Sequence, residues 1–159
     1  MTRIGVTGHQ KVPEIAESFA RTGIRKLLEK LNNPLTGLSS LAAGADQIFA
    51  REILRHNGQL WVVVPSKSYQ STLTGDDLVA YRKLLACAAG VTQLDFSRPG
   101  EAAYDAAGRW IVENCDQLVA IWDGQPARGL GGTGDVVAYA REVGRTVHIF
   151  WPSGVIRPQ

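Results

Sequence analysis

Residues 118–139 read LVAIWDGQPARGLGGTGDVVAY, and this stretch decides the fold class of the chain. It begins with the apolar run Leu118–Trp122, which is typical of a strand buried on both faces. The glycine-rich segment 129–134 follows, and Asp135 then opens a helix with apolar residues on one face. A strand, a glycine loop and a helix start together bind phosphate, because free N–H groups and the helix dipole favour an anion.

The rest of the chain alternates strand and helix patterns in the same way. Predicted strands cover 3–7, 35–40, 60–64, 91–96, 118–122 and 145–151, and predicted helices cover 14–31, 45–56, 76–89, 101–114 and a segment from 135. Asn32 is expected to stop the first helix. Because helical crossovers join parallel strands, we predict an α/β fold with three layers: a mostly parallel sheet of about six strands with helices on both faces. Residues 1–151 form one domain, and residues 152–159 form a tail.

Composition and charge indicate an ordinary globular domain. The 159 residues carry a formal net charge of +2, with Lys and Arg scattered along the chain, so a nucleic-acid partner is not expected. No apolar run approaches the roughly 20 residues of a membrane span, and no room is left for a signal peptide, so we expect a cytoplasmic protein. Cys87 and Cys115 fit no metal-binding or redox spacing, and we expect neither a metal nor a cofactor.

The loops that follow the strands carry most of the glycine, hydroxyl and charged loop residues. Because the carboxyl ends of parallel strands meet at one edge of a sheet, these loops should form a ligand site together. The loops at the opposite edge are short turns. The predicted site residues are Thr7, Gly8, His9, Ala43, Gly44, Asp46, Tyr69, Arg82, Arg109, Asp123, Gly129, Gly131, Gly132, Thr133, Gly134 and Asp135.

For several of these residues a structural role is the alternative. Asp135 is either a helix cap or a site residue, and Thr133 is the other possible cap. Asp46 is either a cap or an acceptor for a ribose hydroxyl. His9 is either a catalytic base or a loop histidine that bonds its neighbours or a ligand. Two helical arginines, at positions 82 and 109, are either solvated surface side chains or clamps on a phosphate or carboxylate.

The spacing from Gly129 to Gly134 is that of a P-loop, but the sequence excludes this class of nucleotide hydrolase. A P-loop continues with a lysine that neutralises phosphate charge and a Ser or Thr that holds magnesium. Asp135 and Val136 occupy those positions, and a carboxylate cannot replace the lysine. The glycines still exceed what a turn requires, which favours the close approach of a ligand.

Several motifs resemble the SLOG superfamily, named for the DNA-processing protein SMF/DprA and the lonely-guy phosphoribohydrolases. They are IGVTGH at 4–9, LAAGAD at 41–46, and NCDQLVAIWDG at 114–124 followed by GGT at 131–133. The chain most resembles small stand-alone bacterial members, including the YpsA-like proteins. The resemblance implies a Rossmann-like domain that binds nucleotides or nucleotide-derived molecules and forms a homodimer or larger homo-oligomer. It assigns phosphate contact to the GGT loop and sugar and base contacts to the first two loops, and so gives these roles to Thr7, Gly8, Gly44, Asp46, Gly131, Gly132 and Thr133.

The sequence departs from the lonely-guy enzymes at the catalytic position. Those enzymes carry a PGGxGTxxE pattern, and alignment on its glycines puts Leu130 at the proline, Asp135 at the threonine and Ala138 at the catalytic glutamate. An alanine can neither handle a proton nor stabilise an oxocarbenium-like transition state. We therefore predict a protein that binds or senses a nucleotide-derived small molecule. The alternative is an N-glycosidic hydrolase that uses Asp135, Asp46 or Asp123.

Overall fold

Within residues 1–31 and 33–158, which the computed structural model describes, six β-strands and five α-helices alternate along the chain. The strands are β1 (Thr2–Gly8), β2 (Leu35–Ser39), β3 (Gln59–Val64), β4 (Gly90–Gln93), β5 (Gln117–Ile121) and β6 (Thr146–Ile149). The helices are α1 (Glu14–Lys30), α2 (Ala45–Arg55), α3 (Gly75–Ala86), α4 (Glu101–Asn114) and α5 (Thr133–Glu142), with a short 3₁₀-helix at Tyr69–Thr72. The predicted stop of α1 at Asn32 lies outside the described residues.

The strands form one parallel sheet in the order β4-β3-β2-β1-β5-β6. The predicted three-layer α/β fold is therefore confirmed. From β1 the chain proceeds outward through β2, β3 and β4, and it then returns to place β5 and β6 on the other side of β1. The strand order reverses between β1 and β5, and open α/β sheets bind their ligands at the carboxyl edge of such a reversal.

The two faces of β5 show how the sheet separates two apolar layers. Val119 and Ile121 belong to the core formed with α1 and α2, whereas Leu118 belongs to the core formed with α4 and α5. All three side chains are fully buried. Successive side chains of a strand point to opposite faces, so a strand that is apolar throughout needs helices on both sides. The run at 118–122 thus requires the three-layer arrangement.

Some element bounds differ from the prediction. α5 begins at Thr133, ahead of the predicted start at Asp135. β4 ends at Gln93 because its only neighbour, β3, ends at Val64, the residue that pairs with Gln93. Phe96, the predicted end of this strand, lies beyond the ladder. Edge strands are thus limited by the strand beside them, which a local pattern does not reveal.

α1 is continuous through Gly23, although glycine is unfavourable inside a helix. A Cβ atom at Gly23 would lie 2.5 Å from the ring of Phe150, which follows β6. The glycine therefore makes room for an aromatic side chain to pack on the helix. Neither α1 nor any other helix in the described ranges has the length and apolar content to cross a membrane.

Candidate functional site

A cavity of about 570 Å³ opens at the carboxyl edge of the sheet, where the loops after β1 and β5 face each other. Its volume lies in the range of pockets that hold small molecules. The predicted site residues that line it are Thr7, Gly8, His9, Ala43, Asp46, Tyr69, Gly129, Gly131, Gly132 and Thr133. Residues from four separate loops thus meet in one place, as expected for loops that follow parallel strands.

The other predicted site residues lie outside the cavity lining: Gly44, Arg82, Arg109, Asp123, Gly134 and Asp135. The two arginines are exposed on the surfaces of their helices. Arg109 pairs with Asp105 at 3.2 Å and covers the Tyr139 ring at 4.4 Å, and Arg82 lies 3.5 Å from Gln70. Both helices begin at the carboxyl edge, but the faces that carry these arginines point away from the cavity.

The first turn of α5 faces the cavity without a side-chain cap. Gly132 is the N-cap residue, and α5 has no side-chain cap among the described residues, so neither Thr133 nor Asp135 has the capping role. Thr133 is buried and lines the cavity, whereas Asp135 is exposed to solvent. The amide groups of an uncapped helix start are hydrogen-bond donors at the positive end of the helix dipole. This turn is suited to hold an anion.

Close packing of the backbone explains why the loop before α5 contains glycines that we attributed to the approach of a ligand. Gly131 has a φ of +81°, and a Cβ atom there would lie 2.6 Å from the backbone nitrogen of Asp105 on α4. Cβ atoms at Gly132 and Gly134 would lie 2.9 Å and 2.8 Å from atoms of Ala127. The loop folds against itself and against α4 so closely that side chains have no room. The glycines thus give the loop its shape, and the shape presents the start of α5.

Gly44 fixes the loop that follows β1. It has a φ of +78°, and a Cβ atom there would lie 2.3 Å from the carbonyl oxygen of Gln10. The Ala45 amide donates to the His9 carbonyl at 3.0 Å, and the His9 amide donates to the Ile121 carbonyl at 3.1 Å. The backbone of His9 is therefore held by α2 on one side and by β5 on the other.

The His9 side chain is enclosed by Asp123 and Arg157. His9 Nε2 lies 3.1 Å from Asp123 Oδ1, and Arg157 Nη1 lies 3.1 Å from His9 Nδ1. Arginine can only donate, so Nδ1 accepts, and Nε2 faces both the Asp123 carboxylate and the Asp123 backbone amide, which lies 3.2 Å away. The edge of the ring also meets Trp151, with centroids 5.3 Å apart. Because both ring nitrogens are engaged, the geometry matches a histidine that bonds its neighbours rather than a catalytic base.

Burial and neighbouring charges determine the protonation of His9 and Asp123. Burial and the charge of Arg157 lower the pKa of His9, although Asp123 acts in the opposite direction. Burial alone would raise the pKa of Asp123, but the Gln125 amide, His9 and Arg157 outweigh it and lower that pKa. At neutral pH His9 is uncharged and Asp123 is ionised, so Arg157 is held by one carboxylate and one neutral imidazole.

Of the three predicted catalytic carboxylates, Asp46 alone lines the cavity. Its Oδ2 atom accepts a hydrogen bond from the Ala42 amide at 3.2 Å, and α2 has Gly44 as its N-cap with no side-chain cap. Asp46 is therefore not the cap of α2. Burial raises the pKa of Asp46 to about 7, although the Ala42 hydrogen bond acts in the opposite direction. Near neutral pH this group can either donate or accept a hydrogen bond.

Positively and negatively charged side chains line different sides of the cavity, because the strand order places the loops that carry them on different sides. Three cations that were not predicted as site residues line it from the loops after β1, β5 and β6: Lys11, Arg128 and Arg157. Asp46 and Asp77 line it from α2 and α3, on the side of β2 and β3. The β5 side therefore favours an anionic group, and the β2 side favours hydroxyl or amino groups. Within the described residues, no group of His, Cys, Asp and Glu side chains is arranged to hold a metal ion.

Solved structures share this fold at low sequence identity. DNA processing protein A (DprA) from Streptococcus pneumoniae has a TM-score of 0.72 at 17% identity, over 98% of this chain and 52% of that protein. DprA from Helicobacter pylori has a TM-score of 0.63 at 14% identity, over 93% of this chain and 64% of that protein. The molybdenum cofactor binding protein of Rippkaea orientalis has a TM-score of 0.60 at 15% identity, over 93% of this chain and 75% of that protein.

The match to S. pneumoniae DprA shows that this chain spans about half the length of that protein. No protein-family model and no curated protein matches the sequence. The fold that the resemblance to the SLOG superfamily implied is therefore confirmed, since DprA, for which that superfamily is partly named, shares it.

The neighbours also correct one expectation. From the net charge of +2 we did not expect a nucleic-acid partner. Two of the three neighbours are DNA processing proteins, and the H. pylori structure describes a single-stranded DNA binding mode for that protein. The exclusion was wrong because it relied on the net charge of the whole chain, whereas binding depends on where the cations lie. Here Lys11, Arg128 and Arg157 line the cavity together.

Gly44→Ala tests whether this glycine holds the β1 loop. We expect the substitution to lower the free energy of unfolding by roughly 2 kcal/mol or more beyond the matched control Gly144→Ala, measured by urea denaturation. Gly144 has a similar φ of +82°, but a Cβ atom there would meet nothing within 4 Å. Both variants place an alanine at a positive φ, which is unfavourable for a residue with a Cβ atom, and only Gly44→Ala adds the clash with Gln10. Equal losses would show that the close approach is unimportant.

Asp46→Asn tests the partly buried carboxyl group. The folded-state pKa of about 7 lies above the ordinary value of 3.8, so folding binds a proton and stability falls as pH rises from about 4 to 7. The variant removes this cost, and we expect its free energy of unfolding to exceed that of the wild type by roughly 2–4 kcal/mol at pH 8. The gain should shrink towards zero near pH 4.

The control is Asp135→Asn, which changes an exposed carboxylate in the first turn of α5. We expect this variant to lose less than about 1 kcal/mol, because a negative charge near a helix start is mildly stabilising. Urea denaturation at pH 4, 6 and 8 compares the two variants. An Asp46→Asn variant that is no more stable than the wild type at pH 8 would contradict the burial of a charge at this position.

Proposed function

We propose that the cavity binds a phosphate-bearing nucleotide or nucleotide-derived molecule. The observation that carries the proposal is the uncapped first turn of α5, which forms one wall of the cavity beside Arg128. Backbone donors at a helix start and arginine side chains are the groups with which proteins commonly hold phosphate. Lys11 and Arg157 add positive charge to the same cavity.

The side of the cavity near β2 and β3 suits the sugar or base. The rings of Tyr69 and Tyr104 both line the cavity, with centroids 6.3 Å apart, and form an aromatic wall. Burial and the neighbouring Asp46 raise the pKa of Tyr69, which keeps its hydroxyl protonated as a donor. With its pKa of about 7, Asp46 can pair with hydroxyl or amino groups. The two sides together suit a molecule with one anionic end and one polar, uncharged end.

The solved neighbours support ligand binding by proteins of this fold. One is described with its single-stranded DNA binding mode, and another as a molybdenum cofactor binding protein. A phosphate group in the cavity has two possible sources, a free nucleotide or a nucleotide within a strand. The helix start and the arginines would contact the phosphate of a free nucleotide and of a strand in the same way. The binding experiment therefore includes a ligand of each kind.

Hydrolysis of an N-glycosidic bond is the competing function, and of the three carboxyl groups predicted for it only Asp46 lines the cavity. Asp135 is exposed outside the cavity, and Asp123 is engaged with His9 and Arg157. Asp46 remains, but with its pKa of about 7 it is only partly ionised at neutral pH. An ionised carboxylate beside the sugar is what an oxocarbenium-like transition state requires. We therefore favour binding over cleavage.

Arg128→Gln tests the phosphate end of the site. We expect the wild-type chain to be stabilised by AMP, by ADP-ribose or by a ten-residue oligothymidylate, with about 2.7 kcal/mol gained at a ligand concentration of 100 times Kd. The variant should bind about 10-fold more weakly, because one charge-assisted hydrogen bond is lost. Thermal unfolding and calorimetric titration measure both effects. Arg82→Gln, an exposed arginine outside the cavity lining, is the matched control and should bind as the wild type does.

The binding results distinguish a phosphate site from general surface charge, a free nucleotide from a strand, and binding from hydrolysis. Absence of stabilisation by every phosphate-bearing ligand would reject a phosphate site. Equal weakening by the two variants would mean that binding reflects general surface charge. Binding of the oligonucleotide alone would assign the site to a strand, and binding of AMP or ADP-ribose would assign it to a free nucleotide. Chromatography of the AMP samples shows whether base is released, and release that Asp46→Asn abolishes would favour the hydrolase.

A further inference from the structure

Residues 152–158, here called the strap, follow β6 and fold back onto the rim of the cavity. Trp151 Nε1 donates to the Val155 carbonyl at 2.8 Å and closes a turn at the start of the strap. Arg128 Nη1 donates to the Pro158 carbonyl at 3.0 Å and ties its other end to the loop before α5. The sequence of the strap has no helix or strand pattern, but its position makes it part of the cavity wall.

Arg157 of the strap is nearly buried yet incompletely bonded. Its side chain is 11% exposed, and Nη1 makes a hydrogen bond of 3.1 Å to His9 Nδ1. Nε lies 3.4 Å from Asp123 Oδ2, but it has no hydrogen-bond partner among the residues that the structure describes. A guanidinium carries five N–H donors, and a buried donor without an acceptor is unfavourable. The fold therefore places a cation with unused donors in the wall of a cavity.

We propose that Arg157 is a ligand-binding residue whose guanidinium contacts the anionic group of the molecule in the cavity. The inference rests on the proposed function, because it requires an anion there. His9 and Asp123 are positioning residues: the imidazole accepts from one edge of the guanidinium, and the carboxylate faces another. We expect the donors that His9 and Asp123 do not engage to bond an acceptor supplied by the ligand. A bound anion then joins the strap to the cavity and makes the strap more ordered.

The surroundings of Arg157 indicate the class of the anion. Arg128 donates to the residue that follows Arg157, so two guanidinium groups line the side of the cavity that holds the first turn of α5. Two cations and a helix start match a diphosphate or a terminal phosphate dianion better than a single carboxylate. Pyrophosphate should therefore be a minimal ligand. A diphosphate should depend on Arg157 more strongly than a monophosphate does.

Calorimetric titration of the full chain with pyrophosphate tests the inference. We expect Arg157→Gln to weaken binding by about 10-fold or more, because a charged donor is lost. Arg157→Lys should weaken it by about 3-fold, because the ammonium keeps the charge but not the planar fork. Arg82→Gln should leave the affinity unchanged. Hydrogen exchange measured by mass spectrometry should show slower exchange of the amides at 153–157 when pyrophosphate is added, in the wild type and not in Arg157→Gln.

The Arg157 and Arg128 variants distinguish failure of the role of Arg157 from failure of the proposed function. If Arg157→Gln binds pyrophosphate as tightly as the wild type while Arg128→Gln does not, the role of Arg157 is rejected and the proposed function stands. If the wild type binds neither pyrophosphate nor any nucleotide, both are rejected. The exchange measurement on the wild type needs no variant, so it remains decisive even if a substitution at position 157 impairs folding. Unchanged exchange at 153–157 on saturation with pyrophosphate would overturn the inference.

Discussion

The parallel pairing of β1 with β5 is the constraint on which the candidate site depends. Gly8 is opposite Ile121 at the carboxyl end of the pair, and a Cβ atom at Gly8 would lie 2.8 Å from the Ile121 carbonyl oxygen and 2.3 Å from the side chain of Ala45. This approach presses the loop after β1 against both β5 and α2. It brings His9 to Asp123 and leaves the cavity where the order of strands reverses.

Backbone packing and charge then shape the two sides of this cavity differently. On the β5 side, closely packed glycines such as Gly131 present an uncapped helix start, and arginines from separate loops gather beside it. On the β2 side, burial keeps Asp46 partly protonated, and aromatic rings form the wall. The strand order thus determines which end of a ligand each side can accept. Cations reach the site without a basic run in the sequence, since each comes from a different loop.

Local patterns predict the fold and the loops of the site more accurately than they predict its charges. The buried strand at 118–122 and the alternation around it specify three layers, because periodicity directly reflects which faces are covered. Arg82 and Arg109 were expected near the ligand because their helices begin at the carboxyl edge, but the exposed face of a helix is decided by tertiary packing. Arg157 left no signal, since its position depends on a contact with His9, 148 residues away in the chain. Sequence periodicity carries no information about a contact of that range.

The proposed function requires that an anion binds at the start of α5, opposite the loop after β1. A titration of the isotope-labelled chain with pyrophosphate, followed by amide nitrogen–proton correlation spectra, tests this claim most directly. We predict that the largest saturable shifts fall on the amides of Gly131, Gly132, Thr133 and Gly8. Shifts confined to the opposite edge of the sheet, around Asp116 and Arg145, or spread evenly over the surface lysines and arginines, would contradict it.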